Sequence, residues 1–134
     1  MLISRINTGE GAPPLYGHSC NLYKGNLFFY QKRKLCKYDL KIKEWTYPKL
    51  AGNIRPYICG HTSTLIDHRL LMIDDHGCCL LDLEKEDYRF EELPIKYGNR
   101  RHSANLFEGS LYLFGGFGIG DNTLRAINVN AKNF

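Results

Sequence analysis

Apolar residues in this sequence come in short runs of four to six rather than at the spacing of a helix face. The clearest runs are Leu27–Tyr30, Leu70–Ile73 and Leu111–Phe114. Short runs rich in leucine, β-branched and aromatic residues, bounded by Gly, Pro, Asn or Asp, are typical of β-strands. No long segment places its apolar residues at the 3.6-residue period of a helix. The pattern therefore predicts an all-β protein.

These runs belong to an internal repeat, which is visible from the histidines that precede them. Each run begins nine residues after a histidine, and the intervals between the histidines are 43 and 41 residues. A Ser or Thr follows each histidine, and in the first two copies an Asp stands twelve residues after the leucine that opens the run. The recurring residues are His18, His61 and His102, then Asp39 and Asp82, then Trp45 and Tyr88. Shared offsets of this kind favour a structural repeat.

Each copy is predicted to form four short strands. The first follows the histidine, at Ser19–Tyr23, Thr62–Ile66 and Ser103–Phe107, and the second is the apolar run. The third carries the Asp, replaced by Asn128 in the last copy, and the fourth carries the recurring aromatic residue. A period of about 42 residues with four strands per unit is the pattern of β-propeller blades.

The repeat resembles the Kelch family. The matching residues are the Gly-His-Ser/Thr entry at 17–19 and 60–62, the strand Leu111–Phe114 with Gly115-Gly116, the strand Tyr38-Asp39-Leu40, and Trp45. The glycine doublet of the family is replaced by Gln31-Lys32 in the first copy and by Asp74-Asp75 in the second. The resemblance implies a propeller of four-stranded antiparallel blades. It also implies protein binding, since Kelch-like proteins commonly serve as scaffolds, ubiquitin-ligase recognition modules or cytoskeletal adaptors.

We expect about three blades in one propeller segment, with one blade split between the two ends. Residues 1–12 supply strand 4 of the split blade, at 2–7, residues 13–50 and 51–94 form complete blades, and residues 95–134 supply strands 1–3. Ordinary propellers have about four to eight blades, so this ring is incomplete or completed by an oligomer. The chain is then either a piece of a longer propeller or half of a head-to-tail homodimer of six blades, which covers otherwise bare strand edges.

The candidate binding surface is one face of these blades. Because neighbouring strands alternate in direction, the loops between strands 2 and 3 and the loops between blades emerge on the same face. Arginine and aromatic side chains on this face are the types that dominate binding energy at interfaces. The predicted partner-binding residues are Tyr16, Arg33, Arg55, Tyr57, Asp75, His76, Arg100 and Phe117. The longest such loop, Gly115–Asn122, is expected to expose Phe117 and Ile119.

Composition and charge argue against a nucleic-acid partner and a membrane partner. The 134-residue chain is 43% hydrophobic and has a net charge of +4, so it can bury a core and has no strong charge bias. Basic and acidic segments alternate rather than form one basic face, which argues against a nucleic-acid partner. No apolar run of about 18 residues occurs, so no membrane partner is expected. Five cysteines, an odd number, without a glycosylation sequon indicate a reducing, cytoplasmic location.

Three functional classes are compatible with this pattern. The leading one is a non-enzymatic protein–protein interaction module or scaffold, with no catalytic residue, metal or cofactor. The second is a structural subunit that completes a larger propeller or assembly. The third, implied by some Kelch-like propellers, is a copper- or iron-dependent enzyme, for which tyrosines, His76 and Cys59 could supply ligands. The repeated histidines occupy equivalent positions, so we expect them to make structural hydrogen bonds.

Overall fold

The computed structural model describes residues 1–9, 11–54, 59–85, 87–117 and 122–130. Within these ranges the chain contains twelve strands and no helix, so the predicted all-β class is confirmed. None of these segments has the helical length and hydropathy that crossing a lipid bilayer requires. The strands are β1 (Ser19–Tyr23), β2 (Asn26–Gln31), β3 (Lys34–Asp39), β4 (Glu44–Thr46), β5 (Ala51–Gly52), β6 (Thr62–Ile66), β7 (Arg69–Asp74), β8 (Gly77–Asp82), β9 (Arg89–Glu92), β10 (His102–Phe107), β11 (Ser110–Gly115) and β12 (Arg125–Asn128).

The strands form three successive sheets. The first sheet has the order β1-β2-β3-β4, the second β5-β9-β8-β7-β6 and the third β10-β11-β12. Neighbouring strands are antiparallel except β5 and β9, which are parallel. The second sheet was predicted with four strands and has five. The added strand is β5, because the link from the first sheet runs beside β9 and pairs Ala51 with Arg89 and Gly52 with Phe90.

The first two strands of every sheet form a tight hairpin. Two residues separate the strands in each case, at Lys24-Gly25, Asp67-His68 and Glu108-Gly109. The leading residues Lys24, Asp67 and Glu108 have φ values of 46°, 57° and 45°. Left-handed backbone at this position matches the right-handed twist of the flanking strands. Because the turns are equally short, residue pairing along the hairpin is the same in all three sheets.

The repeated Asp closes the turn after the third strand of its sheet. Asp39 Oδ1 accepts hydrogen bonds from the backbone nitrogens of Lys41 at 2.8 Å and Ile42 at 3.1 Å. Asp82 and Asn128 accept equivalent backbone bonds. These bonds favour the carboxylate and lower the pKa of Asp39. The aspartate therefore recurs for a structural reason, since short polar side chains stabilise such turns.

Both faces of the second sheet are buried, so the three sheets stack. Alternate side chains of a strand point to opposite faces. On β7, Leu70 and Met72 pack against the first sheet, whereas Leu71 and Ile73 pack against the third, and all four are at most 1% exposed. Their partners include Phe28, Tyr30 and Leu35 on one side and Leu111, Leu113 and Val129 on the other. Each such buried side chain contributes roughly 1.5–3 kcal/mol.

The first strands of the three sheets, β1, β6 and β10, lie side by side and are joined by the repeated histidines. His61 Nε2 lies 2.8 Å from Ser19 Oγ, and His102 Nε2 lies 2.7 Å from Thr62 Oγ1. We call these contacts the histidine–hydroxyl links. They confirm the predicted hydrogen-bonding role for His61 and His102, while His18 is exposed.

Backbone hydrogen bonds run beside these links. The Gly60 nitrogen donates to the Gly17 carbonyl at 2.9 Å, and the Arg101 nitrogen donates to the Gly60 carbonyl at 2.7 Å. Each of the three residues directly precedes a repeated histidine and has a positive φ, of 61°, 72° and 55° in chain order. Successive sheets are thus held in the same relation to one another at their first strands.

Residues 1–9 form no strand in this structure, and the side chains of Leu2 and Ile3 are 98% exposed. Residues 2–7 are predicted to form the fourth strand of a split blade. Within this chain they pair with none of the three sheets. Their pairing with a further sheet stays a prediction.

Burial of His61 predicts that the fold loses stability in mild acid. Desolvation, with smaller effects from His18 and His102, lowers the pKa of His61 from 6.5 to about 4. Between these pH values the unfolded chain binds a proton that the folded chain does not, so the free energy of unfolding falls as the pH falls. The full loss is about 3 kcal/mol, and urea denaturation at several pH values measures it.

His61→Gln tests this assignment, because the glutamine amide can still donate to Ser19 but does not titrate. The variant should flatten the pH dependence in this window, apart from a residual slope due to His102, whose pKa burial also lowers. His76→Gln, at an exposed position, serves as the control and should follow the wild type. Indistinguishable profiles for wild type and His61→Gln would contradict the prediction.

Candidate functional site

A cleft of about 560 Å³ opens at one end of the three sheets, and we call it the end cleft. Its walls are the segments that precede β1, β6 and β10, together with the turn between β7 and β8. It brings together four of the predicted partner-binding residues, which are Tyr16, Asp75, His76 and Arg100. The other lining residues are Gly17, Cys59, Gly60, Asp74 and Arg101.

The repeat itself places the three wall segments together. Tyr16, Cys59 and Arg100 each stand two residues before a repeated histidine. The backbone bonds next to the histidine–hydroxyl links hold these segments side by side, so residues at the same repeat position face the same opening. Tyr16 also lies beneath the Lys32 ammonium group, which is 5.4 Å from the ring centre.

Buried Asn99 fixes the backbone of the third wall. Its side-chain nitrogen donates to the Gly115 carbonyl at 2.6 Å and lies 3.0 Å from the Tyr97 hydroxyl. Its Oδ1 accepts a hydrogen bond from the Arg100 nitrogen at 2.8 Å, and its own backbone nitrogen donates to the Asp74 carbonyl at 2.8 Å. With Asn99 only 1% exposed, the backbone of Arg100 is anchored while its side chain faces solvent.

The rim of the end cleft carries two arginines around an exposed aromatic ring. The guanidinium carbons of Arg100 and Arg101 lie 5.9 and 5.1 Å from the ring centre of Phe117, which is 63% exposed. Arg100 Nε also lies 3.5 Å from Asp75 Oδ2. Exposed cation–aromatic contacts contribute roughly 0.5–1 kcal/mol each. The three side chains thus lie together in one group, which we call the Arg-Phe cluster.

The acidic, histidine and cysteine side chains of the end cleft lie in exposed turns or next to a hydrogen-bonding or charged neighbour. Asp75 is paired with Arg100, and His76 is exposed in a turn whose backbone nitrogen donates to Asp74 Oδ1 at 2.8 Å. Cys59, proposed as a possible metal ligand, lies with its sulfur 4.0 Å from the Tyr16 carbonyl. Across the described ranges, no group of three or more His, Cys, Asp or Glu side chains is placed to hold a metal ion.

Those predicted partner-binding residues that the structure describes lie on two separate surfaces. Arg33 lies in the exposed turn between β2 and β3 and lines a separate groove of about 470 Å³ with Tyr47, Pro48 and Leu50. It is therefore not part of the end cleft, because this turn opens toward the link that follows β4. The predicted residues Arg55, Tyr57 and Ile119 lie outside the described residues.

Sequence reasoning missed Arg101 as a member of the site. Arg101 occupies the repeat position of Gly17 and Gly60 and keeps their left-handed backbone, with φ of 55°. The available signal was this departure from the repeat, a charged residue where the other copies have glycine.

Comparisons with known proteins bear on the fold. No protein-family model matches the sequence, and no curated protein matches it significantly. The structure is similar to the solved structure titled "Structure of YjhT", with a TM-score of 0.60 and 16% sequence identity over 81% of this chain. This chain spans 36% of the length of that protein. At this identity the similarity supports the all-β arrangement and assigns no role to any residue of the end cleft.

Gly116, beside Asn99, is predicted to tolerate no side chain. Gly115 and Gly116 both have left-handed backbone, with φ of 78° and 95°. A Cβ on Gly116 would lie 2.3 Å from Asn99 Oδ1, whereas no described atom lies within 4 Å of a Cβ on Gly115. Gly115→Ala should therefore cost only backbone strain, about 1–2 kcal/mol. Gly116→Ala should cost roughly 1–3 kcal/mol more, because Asn99 must move.

Each alanine variant is the control for the other. Both have a strained backbone, but only the Cβ at position 116 meets a neighbouring side chain. Urea denaturation of both gives the difference in unfolding free energy. Equal losses would show that the close approach of Asn99 to Gly116 does not constrain this loop.

Proposed function

We propose that this chain is a non-enzymatic protein–protein interaction module that binds its partner at the rim of the end cleft. The Arg-Phe cluster is the observation that carries the proposal: an exposed ring held beside two guanidinium groups. Arginine and aromatic residues dominate binding energy at interfaces because they combine a large contact area with directional hydrogen bonding.

The backbone that carries the cluster is held in place by hydrogen bonds within the chain. Asn99 anchors the backbone of Arg100, and the Phe117 nitrogen donates to the Arg100 carbonyl at 3.0 Å. Ordering side chains and loops at an interface otherwise costs free energy on association. A surface that is held in place in the free protein therefore binds more tightly than a mobile one with the same residues.

The chemistry of the rim indicates what the partner presents. Arg101 and Lys32 supply positive charge, and Phe117 and Tyr16 supply apolar area. A partner with acidic groups around an apolar patch would complement this rim. Asp75, beside Arg100, would repel an acidic group of the partner placed directly against it.

The proposal includes a finer assignment of the fold, in which the three sheets are consecutive Kelch-type propeller blades. The shared register and the histidine–hydroxyl links support a common rotation from each sheet to the next. In that arrangement the end cleft lies where the loops between blades converge. The odd number of cysteines supports a reducing, cytoplasmic setting.

Binding to a captured partner tests the proposal. The chain is immobilised and exposed to a cell lysate, and the proteins that it retains are identified by mass spectrometry. The dissociation constant for the purified partner is then measured. The double variant Arg100→Ala plus Phe117→Ala should weaken binding about tenfold or more.

Lys41→Ala plus Ile42→Ala is the matched control. It removes one cation and one apolar side chain, 60% exposed, from the turn between β3 and β4 at the opposite end of the first sheet. The control should bind as wild type does. The proposal fails if the Arg100 and Phe117 variant binds equally well, or if the control loses as much affinity.

The alternative is a copper or iron enzyme, for which the described residues place no group of three or more His, Cys, Asp or Glu side chains together. Elemental analysis of purified protein separates the two proposals. Stoichiometric copper or iron would favour the enzyme over the interaction module.

A further inference from the structure

The third sheet turns an apolar face away from the second sheet. Phe107, Tyr112 and Phe114 on this face are 63%, 39% and 47% exposed. They share a face because Ser110, Tyr112 and Phe114 occupy alternate positions of β11, and Phe107 pairs with Ser110. We call this surface the open face of the third sheet.

The same repeat positions are buried wherever another sheet follows. Counted from the repeated histidine, Tyr112 and Phe114 correspond to Phe28 and Tyr30 in the first sheet and to Leu71 and Ile73 in the second. Those four residues are at most 3% exposed, because each packs against the next sheet. The open face of the third sheet therefore has the composition of a surface that elsewhere in this chain forms a sheet-to-sheet contact.

The first sheet carries the complementary half. On its outer face lie His18, Leu22, Phe29 and Trp45, at the repeat positions of His61, Leu65, Met72 and Tyr88. The second sheet uses those four residues to contact the first: Met72 is in the shared core, and Tyr88 lies 6.2 Å from the Phe28 ring. Leu22 is 57% exposed, whereas Phe29 and Trp45 are half-buried, and Cys36 and Tyr38 on the same face are buried. We call this surface the open face of the first sheet.

The histidine–hydroxyl links leave one hydroxyl in the third sheet and one histidine in the first sheet outside the series. The hydroxyls of Ser19 and Thr62 each contact the histidine of the next sheet. Ser103 holds the same position in the third sheet and is exposed, and so is His18 in the first. A link from Ser103 to a histidine at the position of His18 would continue the series.

We propose that a second copy of this chain binds the open face of the third sheet with the open face of its own first sheet. The contact places His18 of the partner subunit against Ser103 and the partner subunit's Trp45 beside Tyr112, as Tyr88 lies beside Phe28 within the chain. Both halves of the interface are present in one molecule, so the chain is self-complementary. The contact is separate from the end cleft and does not depend on the proposed function.

The centres of the two open faces carry no charged side chains that could repel each other. Their central residues are His18, Cys20, Leu22, Phe29 and Trp45 on one side and Ser103, Asn105, Tyr112, Phe114 and Ala126 on the other, without Lys, Arg, Asp or Glu. Association is then driven by burial of apolar area and should depend weakly on salt. Because the faces differ, the contact is head to tail, and it either closes into a ring or extends to longer oligomers.

Sedimentation velocity over a range of protein concentrations tests the proposal. Wild type should associate from 15.5 kDa to twice that mass or to longer head-to-tail oligomers. Phe114→Glu on one open face and Leu22→Glu on the other should each raise the dissociation constant about tenfold or more. Ile42→Glu adds the same charge at an exposed position outside both faces and should associate as wild type does.

Mixing the two impaired variants distinguishes a head-to-tail contact from any other. Phe114→Glu keeps an intact first-sheet face, and Leu22→Glu keeps an intact third-sheet face, so an equimolar mixture should form a one-to-one complex that neither variant forms alone. Circular dichroism checks that each variant is folded. If Phe114→Glu does not fold, Tyr112→Arg on the same face takes its place.

The single tryptophan provides a second readout, because Trp45 lies on the open face of the first sheet. Its emission should shift to shorter wavelength as wild type associates and should not shift for Phe114→Glu, which leaves Trp45 unchanged. A wild-type chain that stays at 15.5 kDa up to its solubility limit overturns the proposal. So does an association that the two variants leave intact or that their mixture does not restore.

Discussion

The structure depends on the burial of both faces of its central sheet. Adjacent residues of β7 pack into different cores, so Leu70 supports the contact with the first sheet and Leu71 the contact with the third. A strand with four consecutive apolar residues, as at Leu70–Ile73, cannot bury both of its faces against one neighbouring sheet. The stacking of three sheets is therefore a requirement of the sequence of β7, and the order of the repeats along the chain decides which sheets meet.

Stacking in turn creates the end cleft. Because β1, β6 and β10 lie side by side, the segments that lead into them converge at one end, and residues at equal repeat positions become neighbours. The residues that make the sheet contacts recur from copy to copy, such as the histidines and the small hydroxyl residues after them. Apart from Gly17 and Gly60, the residues around the cleft do not recur: Tyr16, Cys59 and Arg100 share one position and no chemistry. The repeat thus places the backbone around the end cleft, and the residues that differ between copies determine the chemistry of its surface.

Most strands could be predicted because their signal is local. β6 has the predicted bounds, Thr62–Ile66, and β10 begins one residue earlier than expected, at His102. β5 could not be predicted, since a two-residue strand has no pattern of its own and forms only because β9 lies beside it. The convergence of Tyr16, Asp75, His76 and Arg100 followed from the alternation of strand direction. The separation of Arg33 from them did not, because the distance of a turn from the centre of the stack is set by packing between sheets.

Arg101 connects the fold to the proposed function. At its position the other copies use glycine, which adopts left-handed backbone without strain, whereas an arginine there costs roughly 1–2 kcal/mol. Its contact with Phe117 offsets part of that cost. The remainder is not explained by packing, since glycine at the same position supports the same backbone hydrogen bond in the second repeat. The same left-handed backbone occurs at Lys24, Asp67 and Glu108 in the hairpin turns, so the strain alone does not mark a site. At Arg101 it places a cation beside an exposed ring at the rim of the end cleft.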